Sequence, residues 1–185
     1  FVRHWTMPNG LYCNSDLSRS GMSEHASALG RLKAPFTMES NCGVSAGICD
    51  MLVQGWGDTL RIFPALPGHW LDAAFRDLLT EGAFKVSAAR RQGRTVWVRV
   101  TATRERALRL RDPFEGAAAT TSGGAARREG DYFLAELSAG QTVELQLAGV
   151  PFDWTEAVRA VRESHPNILG LPRPFQPPAG QESSK

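Results

Sequence analysis

The sequence has few cysteines and no recurring pattern of metal ligands. Its three cysteines are Cys13, Cys42 and Cys49. The last two are seven positions apart, which on a helix corresponds to about two turns and is too far for a disulfide. No C-x-x-C or H-x-x-x-H spacing occurs, so the sequence predicts no zinc site and no other bound metal. We therefore expect the cysteines to be buried as small apolar side chains.

The sequence also lacks an excess of one charge and a long apolar run. The 21 basic and 19 acidic residues leave a net charge of +2, which gives no basis for a nucleic-acid or anionic-membrane surface. No apolar run reaches the roughly 20 residues of a membrane-spanning helix. A glycine-rich phosphate loop and a G-x-S-x-G element are missing, so we expect no cofactor. The chain shows no signal peptide and begins with Phe1, which suggests a processed chain or a piece of a longer one.

An apolar segment with helical spacing covers residues 41–54. Val44, Ile48 and Met51 recur at the period of a helix, and the opposite side is also nearly apolar. The pattern predicts a helix that is buried rather than lying at the surface. Asn41 is a good N-cap for it, and the "GWGD" stretch that follows ends it.

Alternating apolar residues predict several short antiparallel strands after this helix. Leu60 and Ile62 form the first, and two longer runs around an "RQG" turn predict a β-hairpin with one buried face. Residues 74–79 fit a helix as well as a strand. The remaining alternating pairs and triplets predict further strands, at 108–110, 133–137 and 143–147. Together they indicate a small β-sandwich.

Three segments fall outside this pattern. Residues 115–130 are a low-complexity run of small residues and predict a mobile loop. "DWTE" at 153–156 is a capping box, which predicts a short helix with Val158 and Val161 on its apolar face. Residues after Ser164 are proline-rich and are expected to be disordered.

The run "PFTMESNCGVSAGICDMLVQ", followed by "LRIFPALPGHW", resembles the C-terminal part of family 95 glycoside hydrolases, the inverting α-L-fucosidases and their relatives. The likeness is close over residues 35–67 and extends to about residue 112. It implies the C-terminal end of a helical-barrel catalytic domain over residues 1–57, including the terminal helix of an (α/α)6 barrel, then a small antiparallel β-sandwich over 58–150, and a short helix with a proline-rich tail over 151–185. It also implies that residues 74–79 are a strand.

The resemblance implies a function as well. The whole protein would hydrolyse a terminal α-L-fucosyl or related linkage with inversion. Its partners would be a carbohydrate substrate and the missing N-terminal barrel of the same protein, in a secreted or periplasmic setting. Inverting enzymes use two carboxyl groups about 6.5–9.5 Å apart. Glu39 matches the family's catalytic base, although the family has Asp there. No counterpart of the general acid occurs in this chain, so we expect the chain to be inactive alone.

Two further residues are candidates for substrate binding, and each has a simpler alternative. Asn41 could orient the base or the attacking water, but its role as a helix cap explains it fully. Trp56 could stack on a sugar, as could Trp5, His69 and Trp70, but tryptophan more often packs in a core or an interface. Glu39 itself could serve only to stabilise a helix start. The rival interpretation of the chain is therefore a non-catalytic β-sandwich module, either carbohydrate-associated or structural.

Overall fold

The computed structural model describes residues 38–164, and the side chains of these except at 39, 40 and 162–164. The chain divides into two units, Phe1–Ala46 with His165–Lys185, and Gly47–Ser164. Of the first unit only the start of a helix, at residues 38–46, is described. The predictions for Trp5, Cys13 and the proline-rich tail lie outside the described residues.

The first helix, α1, runs from Met38 to Leu52. It begins earlier than predicted, so Asn41 lies inside the helix and is not its N-cap; its carbonyl accepts a hydrogen bond of 2.9 Å from the Ser45 hydroxyl. The expectation that the helix is buried is wrong for the described residues. Most of its described side chains are exposed, Val44 among them, while Asn41, Ile48, Met51 and Leu52 are half-buried. An apolar helix needs neighbours on every side, and the described residues supply them only at its C-terminal end.

Within the described residues ten strands follow, and all of their pairings are antiparallel. A two-stranded sheet pairs β1 with β2, a five-stranded sheet has the order β3-β4-β5-β10-β7, and a three-stranded sheet has the order β6-β9-β8. This arrangement is consistent with a small β-sandwich. The strands are β1 Val53–Gln54, β2 Arg61–Ile62, β3 Ala73–Thr80, β4 Phe84–Arg91, β5 Arg94–Ala102, β6 Arg106–Arg111, β7 Ala119–Ser122, β8 Arg127–Glu129, β9 Tyr132–Leu137 and β10 Thr142–Leu147.

The predicted strands are confirmed, including the hairpin of β4 and β5, and residues 74–79 form part of β3 rather than a helix. The mobile loop predicted at residues 115–130 is wrong, because this segment contains β7 and β8. β7 pairs with β10 and β8 with β9. Pairing with β10 and β9 therefore orders residues of this segment whose own side chains carry no strand-like apolar pattern.

The core follows the predicted alternation along the central strands. The largest fully buried side chains are Val86, Val98, Val100, Leu108, Leu110, Leu137, Val143 and Leu145. Trp97 departs from the alternation, since it lies on the side of β5 opposite Val98 and Val100, yet it is only 4% exposed. One face of the Trp97 ring stacks on Phe152, with centroids 4.4 Å apart. The second face of β5 is therefore covered at this point.

β3, at one edge of the five-stranded sheet, carries a β-bulge. Its register against β4 shifts between Phe75 and Leu78, and Asp77 adopts a positive φ of 56°. The Asp77 backbone N–H donates to the hydroxyl of the buried Ser87, at 2.9 Å. The bulge is therefore held by a specific bond from the neighbouring strand.

The two halves of the motif that resembles the hydrolases pair with each other. β1 aligns Val53 with Ile62 of β2. The Phe63 N–H donates to the Leu52 carbonyl at 2.7 Å, and the Ala65 N–H approaches the Met51 carbonyl at 3.5 Å. "MLVQ" and "IFPALP" are thus adjacent in space, which gives a structural reason for their spacing.

Gly55, which follows β1, lies very close to the backbone at the end of β3. A Cβ added there would lie 2.5 Å from the Glu81 backbone oxygen and 3.1 Å from Thr80 Cβ. We expect Gly55→Ala to lower the free energy of unfolding by about 1–3 kcal/mol, because backbone must shift to make room. Urea denaturation measures this change.

Gly68→Ala is the matched control for Gly55→Ala. No heavy atom lies within 4 Å of a Cβ built at Gly68, so we expect a change of less than about 0.5 kcal/mol. Equal effects of the two substitutions would contradict the packing argument at Gly55.

The second helix, α2, runs from Trp154 to Ser164 and contacts β3 and β4. The predicted N-cap is confirmed, since Asp153 Oδ1 accepts the Glu156 N–H at 2.8 Å. The Glu156 carboxylate accepts a hydrogen bond of 2.7 Å from Arg159 Nη2, and this bond and the charge of Arg159 lower the pKa of Glu156 below its usual value. Within this helix Ala157 is buried, and Val158 is half-buried.

Candidate functional site

Two of the three predicted site residues, Glu39 and Asn41, share α1, and the third, Trp56, follows β1. The backbone of Glu39 belongs to the first turn of α1, so Glu39 is inside the helix rather than before it. Its carboxylate is outside the described part, and its catalytic role stays a prediction. Asn41 is half-buried on the same helix. Trp56 belongs to the second unit, on the turn between β1 and β2.

Trp56 presents a tryptophan ring at the surface of the second unit, where it is 58% exposed. Its indole N–H donates to Gln54 Oε1 at 3.2 Å, and the Arg61 guanidinium lies 4.3 Å from the ring centroid. Arg61 Nη1 also donates to the Trp56 carbonyl at 3.0 Å. Trp56 is therefore not packed in a core among the described residues, whereas packing in an interface stays an alternative to stacking on a ligand.

Arg61 also lines an open cleft of the second unit. This open cleft has a volume of about 390 Å³. It is formed by the end of β2, the β4–β5 hairpin, the loop after β6 and Asp131. We call it the arginine cleft, after Arg61, Arg90 and Arg111 on its walls. Its volume is in the range of small-molecule sites.

Asp112 organises one wall of the arginine cleft. Its side chain is only 6% exposed and forms an ion pair with Arg128. Its two carboxylate oxygens accept the backbone N–H groups of Phe114 and Gly116, at 2.9 and 2.8 Å. Asp112 therefore fixes the loop after β6 and is not available to a ligand.

A smaller pocket of about 170 Å³ lies beside Trp97, Phe152 and Trp154. The rings of Trp97 and Trp154 are 5.8 Å apart and tilted by 61°. Arg99 lies over Trp97 at 5.0 Å and Arg76 over Trp154 at 5.8 Å. Phe152 precedes α2 and Trp154 is its first residue. We therefore interpret the packing of these rings as the contact that holds this helix against the sheet.

Within residues 38–164, no three histidine, cysteine, aspartate or glutamate side chains come together to hold a metal ion. Over the same residues no helix has the length and apolar character to cross a membrane. The expectation that the cysteines are buried is wrong for Cys42 and Cys49, which are exposed. Both lie on α1, whose sides are mostly uncovered.

Comparisons of the chain with protein-family models and with curated proteins give no match. The likeness to glycoside hydrolases consequently remains an expectation drawn from the sequence.

No pattern in the sequence indicated the arginine cleft. Arg61, Arg90 and Arg111 belong to three different strands, and nothing in their spacing relates one to another. The parallel bridge between Leu60 and Leu110 brings Arg61 beside Arg111, and the β4–β5 hairpin supplies Arg90. Only knowledge of that pairing could have identified the site.

Proposed function

We propose that this chain is the C-terminal part of an inverting glycoside hydrolase that acts on terminal α-L-fucosyl or related linkages. In this proposal Gly47–Ser164 is the accessory β-sandwich, and α1 is the last helix of a catalytic barrel. The rest of the barrel would be supplied by further sequence of the same protein.

The observation that carries the proposal is the exposure of apolar side chains on α1. It is an apolar helix whose described side chains are mostly exposed, with Met38 at 63% and Val44 at 38%. Exposed apolar surface of this kind marks an interaction site. The end of the same helix is bonded to the strand domain through Leu52 and Phe63. A helix joined to the strand domain at its C-terminal end, with mostly exposed side chains among the described residues, supports the proposal of a terminal barrel helix that packs against further sequence.

Glu39 is the proposed general base. A carboxylate in the first turn of a helix is near the positive end of the helix dipole, which favours the charged form that a base requires. Its carboxylate would take a proton from a water molecule as the water oxygen bonds to the anomeric carbon. A second carboxyl group, outside this chain, would give a proton to the departing glycosidic oxygen. The longer side chain of Glu, in place of the family's Asp, suits an altered sugar or a displaced water.

The stereochemistry of hydrolysis tests the proposal. The reading frame extended on its N-terminal side is expressed beside the 185-residue chain, and both are incubated with an aryl α-L-fucoside. We expect the extended protein to release the β-anomer of the sugar first, as seen by proton NMR before mutarotation, and the short chain to release none. Retention, or an extended protein without glycosidase activity, would contradict the proposal.

A second candidate is a non-catalytic carbohydrate-associated module, and the exposed ring of Trp56 favours it. A tryptophan that is 58% exposed and backed by Arg61 can bind a sugar without any catalytic group. In the same experiment, this candidate would be supported by an extended protein that binds fucosides but does not hydrolyse them.

A further inference from the structure

Three arginines from separate strands meet in the arginine cleft. Arg111 donates its backbone N–H to the Leu60 carbonyl at 2.9 Å, which places the end of β6 beside Arg61. Arg90 pairs with Thr95 where the β4–β5 hairpin shifts its register, and both residues line the same cleft. The three positive groups are therefore gathered by the pairing of the strands.

None of these arginines forms an ion pair with a carboxylate in residues 38–164, whereas eight other Lys and Arg side chains there do. Arg61 donates from Nη1 only to the carbonyls of Trp56 and Thr59, each at 3.0 Å. Arg90 Nε is buried and has no hydrogen-bond partner in the described part. A covered N–H without a partner is costly, so an acceptor on a ligand in the cleft would stabilise Arg90 in this position.

The charge in the cleft favours an anionic ligand. The lining carboxylates are Asp112, Glu115 and Asp131. Asp112 is neutralised by Arg128, which leaves the three arginines one positive charge in excess of Glu115 and Asp131. A ligand with a single negative charge would balance this excess.

Two residues of the lining have unusual backbone conformations. Phe63 and Glu115 adopt positive φ angles of 51° and 53°, which cost energy for residues other than glycine. Conformations of this kind cluster at binding and catalytic sites. Both residues lie on the wall of the cleft, so its shape is maintained at an energetic cost.

We propose that the arginine cleft binds a small polyhydroxylated acid, of which a uronic acid is the simplest example. The planar guanidinium group pairs with a carboxylate through two parallel hydrogen bonds. Glu115 and Asp131 accept hydrogen bonds from ligand hydroxyls, and the Thr95 hydroxyl can donate or accept. The volume of about 390 Å³ accommodates one sugar ring with room for its substituents. The proposal does not rest on the proposed function, because every residue involved belongs to the second unit.

Calorimetric titration of the full 185-residue chain tests this site. The probes are sodium D-glucuronate and sodium D-galacturonate, with D-glucose and inorganic phosphate as comparison ligands. We expect at least one uronate to bind about tenfold more tightly than glucose or phosphate, since only it offers both the carboxylate and the hydroxyl groups. Its affinity should fall with added salt. Failure of both uronates to bind, or equal affinity for phosphate, would overturn the proposal.

Two substitutions on the same strand then locate the binding. Arg111→Gln removes one lining charge and should weaken uronate binding by about tenfold. Arg109→Gln removes the same charge from an exposed arginine of β6 that lies over the Tyr132 ring, 4.0 Å from its centroid, and should leave the affinity unchanged. Circular dichroism confirms that both variants are folded. Equal effects of the two, or none from Arg111→Gln, would overturn the assignment to this cleft.

Discussion

If the extended protein is the hydrolase proposed above, replacing Glu39 with glutamine is expected to lower its kcat by about 10²–10⁴-fold, the range typical of a lost general base. The amide of glutamine has almost the same shape as the carboxylate but cannot take a proton from water. KM should change little, because a group that acts on the water contributes mainly to the transition state. Initial rates with an aryl α-L-fucoside measure both constants.

Two other variants make the test of Glu39 specific. Glu39→Asp restores the residue that the resembling family carries, and we expect it to keep more activity than Glu39→Gln. Asp50→Asn removes a carboxylate from an exposed position of the same helix and should leave kcat unchanged. If Glu39→Gln behaved like Asp50→Asn, Glu39 would be a helix-stabilising charge and not the base.

Trp97→Ala is expected to lower the free energy of unfolding by about 3–5 kcal/mol, as for other large aromatic residues truncated in a core. Trp97 is 4% exposed and lies flat on Phe152, with an angle of 8° between the rings. Its removal would leave a cavity under the segment that leads into α2. Urea denaturation followed by far-UV circular dichroism measures the loss, and limited proteolysis should show earlier cleavage near α2.

Trp56→Ala provides the control for the effect of Trp97. It deletes the same side chain at a position that is 58% exposed, so we expect a loss below about 1 kcal/mol. A similar loss in both variants would mean that Trp97 contributes no more than a surface ring. The interpretation of the aromatic cluster as the attachment of α2 would then be wrong.

The strands could be predicted because apolar residues alternate along a strand when one of its faces is buried. Val98 and Val100 point to the same face of β5 by the period of two, and both are fully buried. The period of two did not predict the burial of Trp97, because the second face of β5 is covered there by Phe152, more than fifty residues later in the chain. It also failed at residues 119–122, where the pairing with β10 rather than the side chains decides the structure.

The site was harder to predict than the fold. The backbone of Glu39 lies inside α1 because the helix begins at Met38, which capping patterns centred on Asn41 did not indicate. The exposure of Trp56 is consistent with the role predicted for it, but its contact with Arg61 depends on how the turn closes. Charges gathered from distant strands, as in the arginine cleft, carry no local pattern at all.

The bulge in β3 has a consequence for the behaviour of the protein in solution. An unprotected outer strand offers a row of unpaired N–H and C=O groups to other molecules, and such rows seed aggregates. In β3 the turn of the chain at Asp77 interrupts this row midway, and the charges of Arg76, Asp77 and Lys85 surround the interruption. A second chain adding along β3 would lose its register there and meet fixed charges. The irregularity is therefore a local barrier to β-type self-association, placed close to the exposed apolar side chain of Leu79.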